Sequence, residues 1–222
     1  MKPLLITIDG PAGAGKTTVS RSLAKRLGYR YMDTGALYRA VALAVKQKGL
    51  SPQEDRSLEQ LCTKLDLVFT RENDSFRLLS DGRDITNDIR TPEITMLASK
   101  ISAMPVVRNA LLDLQRKMGR GKRMVAEGRD MGTVVFPDAD VKFFLDASLT
   151  ARALRRYEEH KSMSGQNLAE VMAEIKKRDE NDRSRDIAPL VPAQDAIQID
   201  STNLAVDQVV DLMIGYIKQS AE

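Results

Sequence analysis

Residues 10–17 combine three glycines, a lysine and a threonine at spacings suited to binding a chain of phosphates. They read GPAGAGKT and match the pattern G-x-x-x-x-G-K-[S/T] at every fixed position. Glycines let the backbone approach phosphate oxygens closely, and successive N–H groups can then form a nest for the anion. Lys16 would bring a mobile positive charge to the β and γ phosphates, and Thr17 would offer a hydroxyl ligand to Mg²⁺.

The elements on either side of this loop are those that the motif requires. The apolar run of residues 4–8 predicts a strand that ends at Asp9. Apolar residues then recur at helical spacing from Val19 to Leu27, and Gly28 is typical of a helix stop. A tight turn between a strand and a helix is the alternative reading of the glycines, but the complete motif in this setting favours a phosphate site.

The composition narrows the class of protein. The 222 residues suit one large α/β domain, and 34 basic against 31 acidic residues leave a net charge of +3, too balanced for a general nucleic-acid binder. The single cysteine, Cys62, and the single histidine, His160, exclude an internal disulfide and a Cys/His zinc site, and a histidine base is not expected. We expect Cys62 in the core and His160 in solvent. No signal-peptide pattern or membrane-spanning run is present, so a cytoplasmic protein is expected.

Acidic residues are predicted to end five short apolar strands. They are Asp9, Asp33, Glu127, Asp146 and Asp200. Helical segments separate these strands, which predicts a parallel, doubly wound sheet flanked by helices. Ligands of such sheets bind beyond the carboxyl ends of the strands, so these acids, Thr34, Arg129 and Thr202 are expected near the phosphate loop. Asp146 is expected only to end its strand.

The remaining segments are predicted to be helices and one small antiparallel sheet. Residues 66–90 read as a meander inserted at the edge of the core, with turns at 73–74 and 81–82, and residues 82–84 are interpreted as turn chemistry. A capping box at residues 51–54, with Pro52 in the first helical position, predicts a short helix to about residue 65. Further helices are predicted at residues 36–48, 91–103, from 105 onward, 149–160, 167–182 and 204–219.

A phosphate loop by itself fits a GTPase switch, an ATPase motor or a small kinase. The N-K-x-D motif typical of guanine recognition is absent, and a motor would need more chain for its partner surface. A kinase needs a second pocket, which arginines can build because their planar guanidinium groups bind phosphate in bidentate fashion. If the acceptor is itself a phosphate, no general base is needed, only cations that hold two anions in line. The candidates, each with a solvated helix face as its alternative, are Arg39, Arg129, Arg155, Arg156, Arg178, Arg183 and Arg185.

Motifs along nearly the whole chain resemble those of the bacterial cytidylate kinases, which belong to the nucleoside monophosphate kinases. They are GPAGAGKTT (10–18), DTGALYR (33–39), IRTP (89–92), EGRDMGTVVFP (127–137), FLDA (144–147), EIKKRDENDRSR (174–185), APLVP (188–192) and DST (200–202). Two positions depart from some relatives. Glu127 stands where some have aspartate, and Thr34 stands where some have serine, which keeps the hydroxyl.

The resemblance implies a P-loop kinase: a single α/β domain with a five-stranded parallel sheet flanked by helices. Its core would be residues 1–35, 120–155 and 187–222. A monophosphate-binding region with the small antiparallel insert would cover about 36–119, and a lid about 156–186, with arginines flanking residues 161–166 that exclude water on closing. The implied activity is ATP-dependent phosphorylation of CMP and dCMP to CDP and dCDP in pyrimidine nucleotide metabolism, with Mg²⁺. The expected partners are these nucleotides, without nucleic acid or membrane, and a monomer is expected.

The loop motif and the resemblance together assign individual residues. ATP would be bound by Gly10, Pro11, Ala12, Gly13, Ala14, Gly15, Lys16, Thr17, Thr18 and Thr202, with Thr17 also holding Mg²⁺ partly through water. The catalytic residues would be Lys16, Arg129, Arg155 and Arg183. CMP would be bound by Ser99, Arg108 and Asp130 at the base, Arg178 and Asp182 at the sugar, and Thr34, Arg39, Arg129 and Arg185 at the phosphate. On pattern alone, Ser99 and Arg108 would both lie on a helix surface.

The implied base readers suit cytosine. Asp130 can accept a hydrogen bond from the exocyclic amine, while Arg108 and Ser99 can donate to the carbonyl and the ring nitrogen. Uracil would set a carbonyl against the carboxylate, which should cost about 1–3 kcal/mol or more in discrimination. The alternatives are a P-loop kinase of another small acceptor, such as UMP, and a regulatory protein that binds ATP without turnover.

Overall fold

The computed structural model of the chain describes residues 2–53, 56–72, 75–160 and 165–219. The strands are β1 (Leu5–Asp9), β2 (Arg30–Asp33), β3 (Leu67–Glu72), β4 (Ser75–Ser80), β5 (Arg83–Asp84), β6 (Met124–Gly128), β7 (Val141–Asp146) and β8 (Ile197–Asp200). The α-helices are α1 (Lys16–Leu27), α2 (Thr34–Gln47), α3 (Arg56–Lys64), α4 (Pro92–Ile101), α5 (Pro105–Gly119), α6 (Leu149–His160), α7 (Leu168–Ser184) and α8 (Val206–Gln219). A 3₁₀ turn (Asp88–Arg90) and a π-helical turn (Met131–Val135) complete the described elements.

Five strands form the main sheet in the order β2-β6-β1-β7-β8. β1 lies at its centre and runs parallel to both β6 and β7, and β8 runs parallel to β7. Every residue of β1 is buried, which is why its sequence is a continuous apolar run and not an alternating one. The predicted parallel sheet with helices between its strands, and the acids at the strand ends, are therefore confirmed.

The start and end of α1 follow from two glycines. Gly15 precedes the helix at φ +85° and Gly28 follows it at φ +64°, a left-handed conformation that glycine adopts without steric cost. The backbone N–H of Gly28 donates to the carbonyls of Ala24 and Lys25, so the last turn is satisfied. The predicted helix stop at Gly28 is confirmed.

The chain divides into two compact units. Unit 1 contains Met1–Tyr31 and Gly121–Glu222, and unit 2 contains Met32–Arg120. The core of unit 2 is built on side chains of α2 to α5, among them the fully buried Leu37, Val41 and Ile101. Unit 2 also holds the antiparallel sheet β3-β4-β5, as the meander prediction required. The region predicted at residues 36–119 falls within unit 2, and the assignment of that region and of the lid remains a prediction.

Two local predictions are wrong, and a third falls outside the described residues. α3 begins at Arg56, with bends at Pro52 and Gln53, so Pro52 is not its first helical residue; residue 54 lies outside the described chain. Arg83 pairs with Ser80 as part of β5, so only Asp81 and Gly82 form the turn. The turn predicted at residues 73–74 also lies outside the described part.

Cys62 is half-buried on α3 and packs against the core of unit 2. Burial raises the pKa of its thiol to about 11, so the thiol stays protonated at neutral pH. The side chain of His160 is not among those that the structure describes. Within the described residues, no helix has the length and apolar character needed to cross a membrane.

Candidate active site

The phosphate loop lies between β1 and α1, and its glycines are required by close contacts. Gly10 has a φ of +150°, and a Cβ built there would lie 1.9 Å from the carbonyl oxygen of Leu145. Gly13 has a φ of +74°, and its Cβ would lie 2.9 Å from the carbonyl oxygen of Arg152. The loop therefore follows a path, pressed against β7 and α6, that other residues could not take.

The backbone of the loop presents a run of amides to solvent or ligand. Within the described residues, the N–H groups of residues 13–17 donate to no protein acceptor. The N–H of Ala12, in contrast, donates to Asp179 Oδ1 at 3.2 Å. The run ends at Thr17, in the first turn of α1, where the helix dipole also favours an anion. These amides are arranged as the predicted anion nest requires, and their role in phosphate binding remains a prediction.

Lys16 is folded back onto the loop. It is 7% exposed, and its Nζ donates to the carbonyl oxygen of Pro11 at 2.6 Å. Burial and the Arg129 guanidinium lower the pKa of Lys16 to about 7, against an opposing effect of Glu127. Lys16 is therefore only partly protonated near neutral pH. Phosphate oxygens beside its Nζ would raise its pKa and favour the protonated form.

Residues around the first turn of α1 suit Mg²⁺ that arrives with phosphates. Thr17 is half-buried in that turn. The Glu127 carboxylate, near the end of β6, is close enough to the adjacent Lys16 to raise the pKa of that lysine. The hydroxyl of Tyr31 donates to Glu127 Oε1 and orients it. A hydroxyl and a carboxylate fit an ion that keeps several waters and takes phosphate oxygens as its other ligands.

Asp9, at the end of β1, fixes the backbone that follows Arg129 and Asp130. Its Oδ1 accepts from Met131 N at 2.8 Å and its Oδ2 from Gly132 N at 2.7 Å. Burial raises the pKa of Asp9 to about 6, although both amides act against this shift. The sequence predicted Asp9 only as an acid near the site, because nothing in the pattern links it to residues 131–132.

Five of the predicted acceptor residues form one charged cluster in unit 1. Arg129 Nε donates to Asp182 Oδ2 at 2.9 Å, and Arg185 has a nitrogen 4.0 Å from Asp182 and another 4.0 Å from Asp130. Burial alone would raise the pKa of Asp182, but Arg129, Arg178 and Arg185 outweigh burial and lower it. The cluster joins the segment after β6 to the last turns of α7, and its Arg129 and Arg178 are close enough to Lys16 to lower the pKa of that lysine.

Arg155 and Thr202, two further candidates, belong to a single network beside the loop. Arg155 donates from Nη1 to Ser201 Oγ at 3.1 Å and from Nη2 to the Ser201 carbonyl at 2.5 Å. The hydroxyl of Thr202 donates to Asp200 and accepts from Ser148 N at 2.9 Å. Ser201 is 2% exposed and holds Arg155 in place, a role that no pattern in the sequence indicates.

The other predicted lid arginines are not brought to the cluster. Arg183 is exposed in the last turn of α7 and forms no ion pair with the described residues. Arg156 lies 3.9 Å from Glu159 on its own helix. Residues 161–164 of the predicted lid loop lie outside the described chain, so the role of Arg183 remains a prediction.

Unit 2 holds the other four predicted acceptor residues, in two places. Asp33 caps α2 by accepting from Ala36 N at 2.9 Å and binds Arg39 Nη2 at 3.0 Å. Thr34 is buried in the first turn of the same helix. Arg39, predicted to bind phosphate, is therefore held by a carboxylate that an incoming phosphate would have to replace.

Ser99 and Arg108 come together at the junction of α4 and α5. Ser102 Oγ donates to the carbonyl oxygen of Ser99 at 2.8 Å, and Arg108 Nη1 donates to the carbonyl oxygen of Ser102 at 3.1 Å. Arg108 is 7% exposed, with its Cζ 5.8 Å from the centroid of the Tyr38 ring. The pattern-based prediction of a surface position for Arg108 is wrong, because packing against Tyr38 covers a residue that helical spacing places among polar ones.

Nearly the whole chain is similar to known proteins of one family. The family model described as cytidylate kinase matches residues 6–219. The cytidylate kinase of Geobacter sulfurreducens is 50% identical over 97% of this chain and 93% of its own length. Cytidylate kinase 1 of Haemophilus influenzae is 46% identical over 97% of this chain and 94% of its own length. These matches confirm the resemblance predicted from the motifs.

A solved structure with low sequence identity supports the fold. Shikimate kinase from Acinetobacter baumannii, solved with shikimate, superposes with a TM-score of 0.50 at 15% identity, over 98% of this chain and 94% of that one. At this identity the likeness concerns the fold alone. It agrees with the five-stranded parallel sheet flanked by helices that the sequence predicts.

Proposed function

Because the chain belongs to the cytidylate kinase family, we propose that it transfers the γ-phosphoryl group of ATP to CMP and dCMP, giving CDP and dCDP. The observation that carries the proposal is the presence, in one unit, of an amide nest and a half-buried arginine cluster. Lys16 belongs to the nest, and Arg129 of the cluster is close enough to lower its pKa. A donor phosphate and an acceptor phosphate are thus each provided with cations at neighbouring positions.

The transfer needs positioning and charge compensation, and no general base. The acceptor is a phosphate oxygen that is already ionised, so the enzyme has to hold two anions in line and offset their repulsion. The amides of residues 13–17 and Lys16 bind the triphosphate, while Arg129 and Arg185 bind the acceptor phosphate. Arg155 and Arg183 are the further cations that act on the transferring group.

The proposed acceptor-binding roles are those that the family resemblance implies. Thr34 and Arg39 bind the acceptor phosphate, and Arg178 and Asp182 bind the sugar. Ser99, Arg108 and Asp130 read the cytosine. Support comes from the burial of Arg108 and from its hydrogen bond to the carbonyl oxygen of Ser102, which caps the helix that carries Ser99.

Mg²⁺ accompanies ATP in the proposed reaction and would neutralise charge on the β and γ phosphates. Thr17 would hold it, partly through water. ATP, CMP and dCMP are the proposed small-molecule partners. We further propose a cytoplasmic monomer that engages neither nucleic acid nor membrane.

A substrate panel tests the proposal. The protein is assayed with ATP and Mg²⁺ for ADP release against CMP, dCMP, UMP, AMP, GMP and shikimate. We expect turnover with CMP and dCMP and much weaker turnover with the others. Equal rates with UMP would favour a broader pyrimidine kinase, and ATP binding without a diphosphate product from any acceptor would favour a regulatory protein; either result contradicts the proposed specificity.

A further inference from the structure

Arg152 and Asp179 form an ion pair in the interior of unit 1. They are 6% and 5% exposed, and Arg152 Nη1 lies 2.5 Å from Asp179 Oδ2. The partly exposed carboxylate of Asp146 is a second ionic neighbour, 3.8 Å from Arg152 Nε. Burying two charges carries a large desolvation penalty that mutual attraction offsets only when the remaining polar atoms are also bonded. The partners of those atoms therefore indicate what the pair does.

Both partners bind the same residue of the phosphate loop. Arg152 Nη1 donates to the carbonyl oxygen of Ala12 at 3.0 Å, and Ala12 N donates to Asp179 Oδ1 at 3.2 Å. Arg152 Nε donates to the carbonyl oxygen of Ala147 at 2.9 Å, which anchors the guanidinium to the segment after β7. Both backbone polar groups of Ala12 are thus used, and the peptide planes on either side of it are fixed.

The next residue is held by close approach. A Cβ at Gly13 would lie 2.9 Å from the Arg152 carbonyl oxygen and 3.1 Å from its Cβ, so the loop is seated directly on the backbone of α6. Asp179 belongs to α7, which packs on α6 through Ala153, Val171 and Ile175. The pair therefore ties the loop to the two helices that carry Arg155, Arg178 and Arg183.

We infer that Arg152 and Asp179 are positioning residues that set the direction of the phosphate-binding amides. With its N–H turned towards Asp179, Ala12 points away from the nest, and the nest begins at Gly13. Because the pair fixes the peptide planes before Gly13, it determines where the following N–H groups point. The inference rests on the proposed function and adds to it residues that neither the loop motif nor the family resemblance assigned.

Two variants test the inference. Arg152→Lys keeps the charge beside Asp179 but lacks the planar group that reaches Ala12, Ala147 and Asp179 together. The double variant Arg152→Met/Asp179→Asn removes both charges without leaving either one buried alone. We expect the affinity for ATP with Mg²⁺, measured by calorimetry without acceptor, to fall about tenfold in the first and further in the second. The KM for CMP at saturating ATP should change less than about twofold, since loss of loop geometry acts on the donor.

A matched control comes from the other end of β1. Asp140 also accepts from a backbone amide, Leu5 N at 2.7 Å, and from a cation, Lys122 at 2.7 Å. Asp140→Asn should lower the melting temperature while leaving the ATP affinity within about twofold of the wild type. This separates a loss of stability from a loss of loop geometry.

The measured affinities either support the inference or overturn it. The inference would be overturned if Arg152→Lys bound ATP as tightly as the wild type. It would also be overturned if the variants lost affinity for both ATP and CMP only in proportion to their fall in melting temperature, as a purely structural defect would cause. If the double variant does not fold, Arg152→Lys alone decides. A protein that binds ATP but phosphorylates no acceptor would contradict the proposed function and leave the inference standing, because ATP affinity by itself tests the loop.

Discussion

At the residue scale, Lys16 is the group whose charge state depends most directly on what occupies the loop. It is almost fully buried and donates to the carbonyl oxygen of Pro11. Burial and the positive charge of Arg129 keep its pKa at about 7, so at pH 8 it is mostly neutral. Triphosphate oxygens next to Nζ would restore an ordinary lysine pKa, and the lysine would then take up a proton.

Binding of ATP at pH 8 is therefore expected to take up as much as about one proton at Lys16. Calorimetry in two buffers of different ionisation enthalpy measures this number. In Lys16→Ala the uptake should disappear and phosphoryl transfer should be abolished, while the circular dichroism spectrum stays unchanged. Lys25→Ala, on the exposed face of the same helix, serves as the control and should behave as the wild type. Unchanged turnover in Lys16→Ala would refute the role of this lysine.

Asp130 is the residue on which base selection is proposed to depend. It is 3% exposed and lies next to Arg185 at the end of β6, where a carboxylate can accept from an exocyclic amine. Asp130→Ala is expected to lower the ratio of kcat/KM for CMP to that for UMP by about tenfold, because the carboxylate that repels the uracil carbonyl is lost.

The ratio of the two kcat/KM values in Asp130→Ala is compared with that of Asp138→Ala, an exposed aspartate eight residues along the same segment. Asp138→Ala should leave the ratio as it is in the wild type. An unaltered ratio in Asp130→Ala would mean that the base is read by other residues.

At the element scale, the phosphate loop is shaped by where a side chain cannot fit. Gly13 and Gly28 both have left-handed backbones, at φ +74° and +64°, so alanine carries a similar backbone penalty of about 1–2 kcal/mol at either site. They differ in their surroundings. A Cβ at Gly13 would contact the backbone of α6, whereas a Cβ at Gly28 would have nothing within 4 Å.

Gly13→Ala is therefore expected to lower the free energy of unfolding by more than Gly28→Ala and to weaken ATP binding at least about tenfold. Gly28→Ala should lose stability but keep its affinity for ATP. Urea unfolding and calorimetric titration with ATP measure the two effects separately. Equal ATP affinities in the two variants would show that the contact between the loop and α6 is not needed for the amides to bind ATP.

At the scale of the whole molecule, the proposed site residues are distributed unevenly over the two compact units. The nest and the cluster around Asp182 belong to unit 1, and the pair Ser99 and Arg108 belongs to unit 2. Donor and acceptor are therefore expected to leave different patterns of protection along the chain.

Hydrogen exchange measures this directly. ATP with Mg²⁺ should slow exchange of the amides of residues 13–17, which lack protein acceptors, without affecting the α4–α5 junction. CMP should slow exchange at that junction and at residues 129–131. Protection by CMP confined to one unit would contradict the assignment of acceptor residues to both.

Local signals predicted a large part of this architecture. The continuous apolar run of β1 marks a buried central strand, and Gly28 ends α1 because its backbone conformation suits glycine. Asn167 and Glu170 form a capping box at the start of α7, where a helix was predicted. Each of these features depends on residues within one or two helical turns, which a sequence pattern can reveal. Pro52 shows the limit of such signals, since the chain there bends and α3 begins later.

Sequence patterns were enough to predict the phosphate loop, a parallel sheet with helices between its strands, and membership of a family of nucleotide kinases. How the loop is held became visible only once the chain was folded. Ala12 and Asp179 are 167 residues apart, and Asp9 lies 122 residues from Met131, whose amide it binds. Contacts at such separations leave no periodicity or local motif, because they arise only when the loop meets α7 and the end of β1 meets the π-helical turn. The same reason explains why Arg108, polar and at a helical position typical of a surface, is buried.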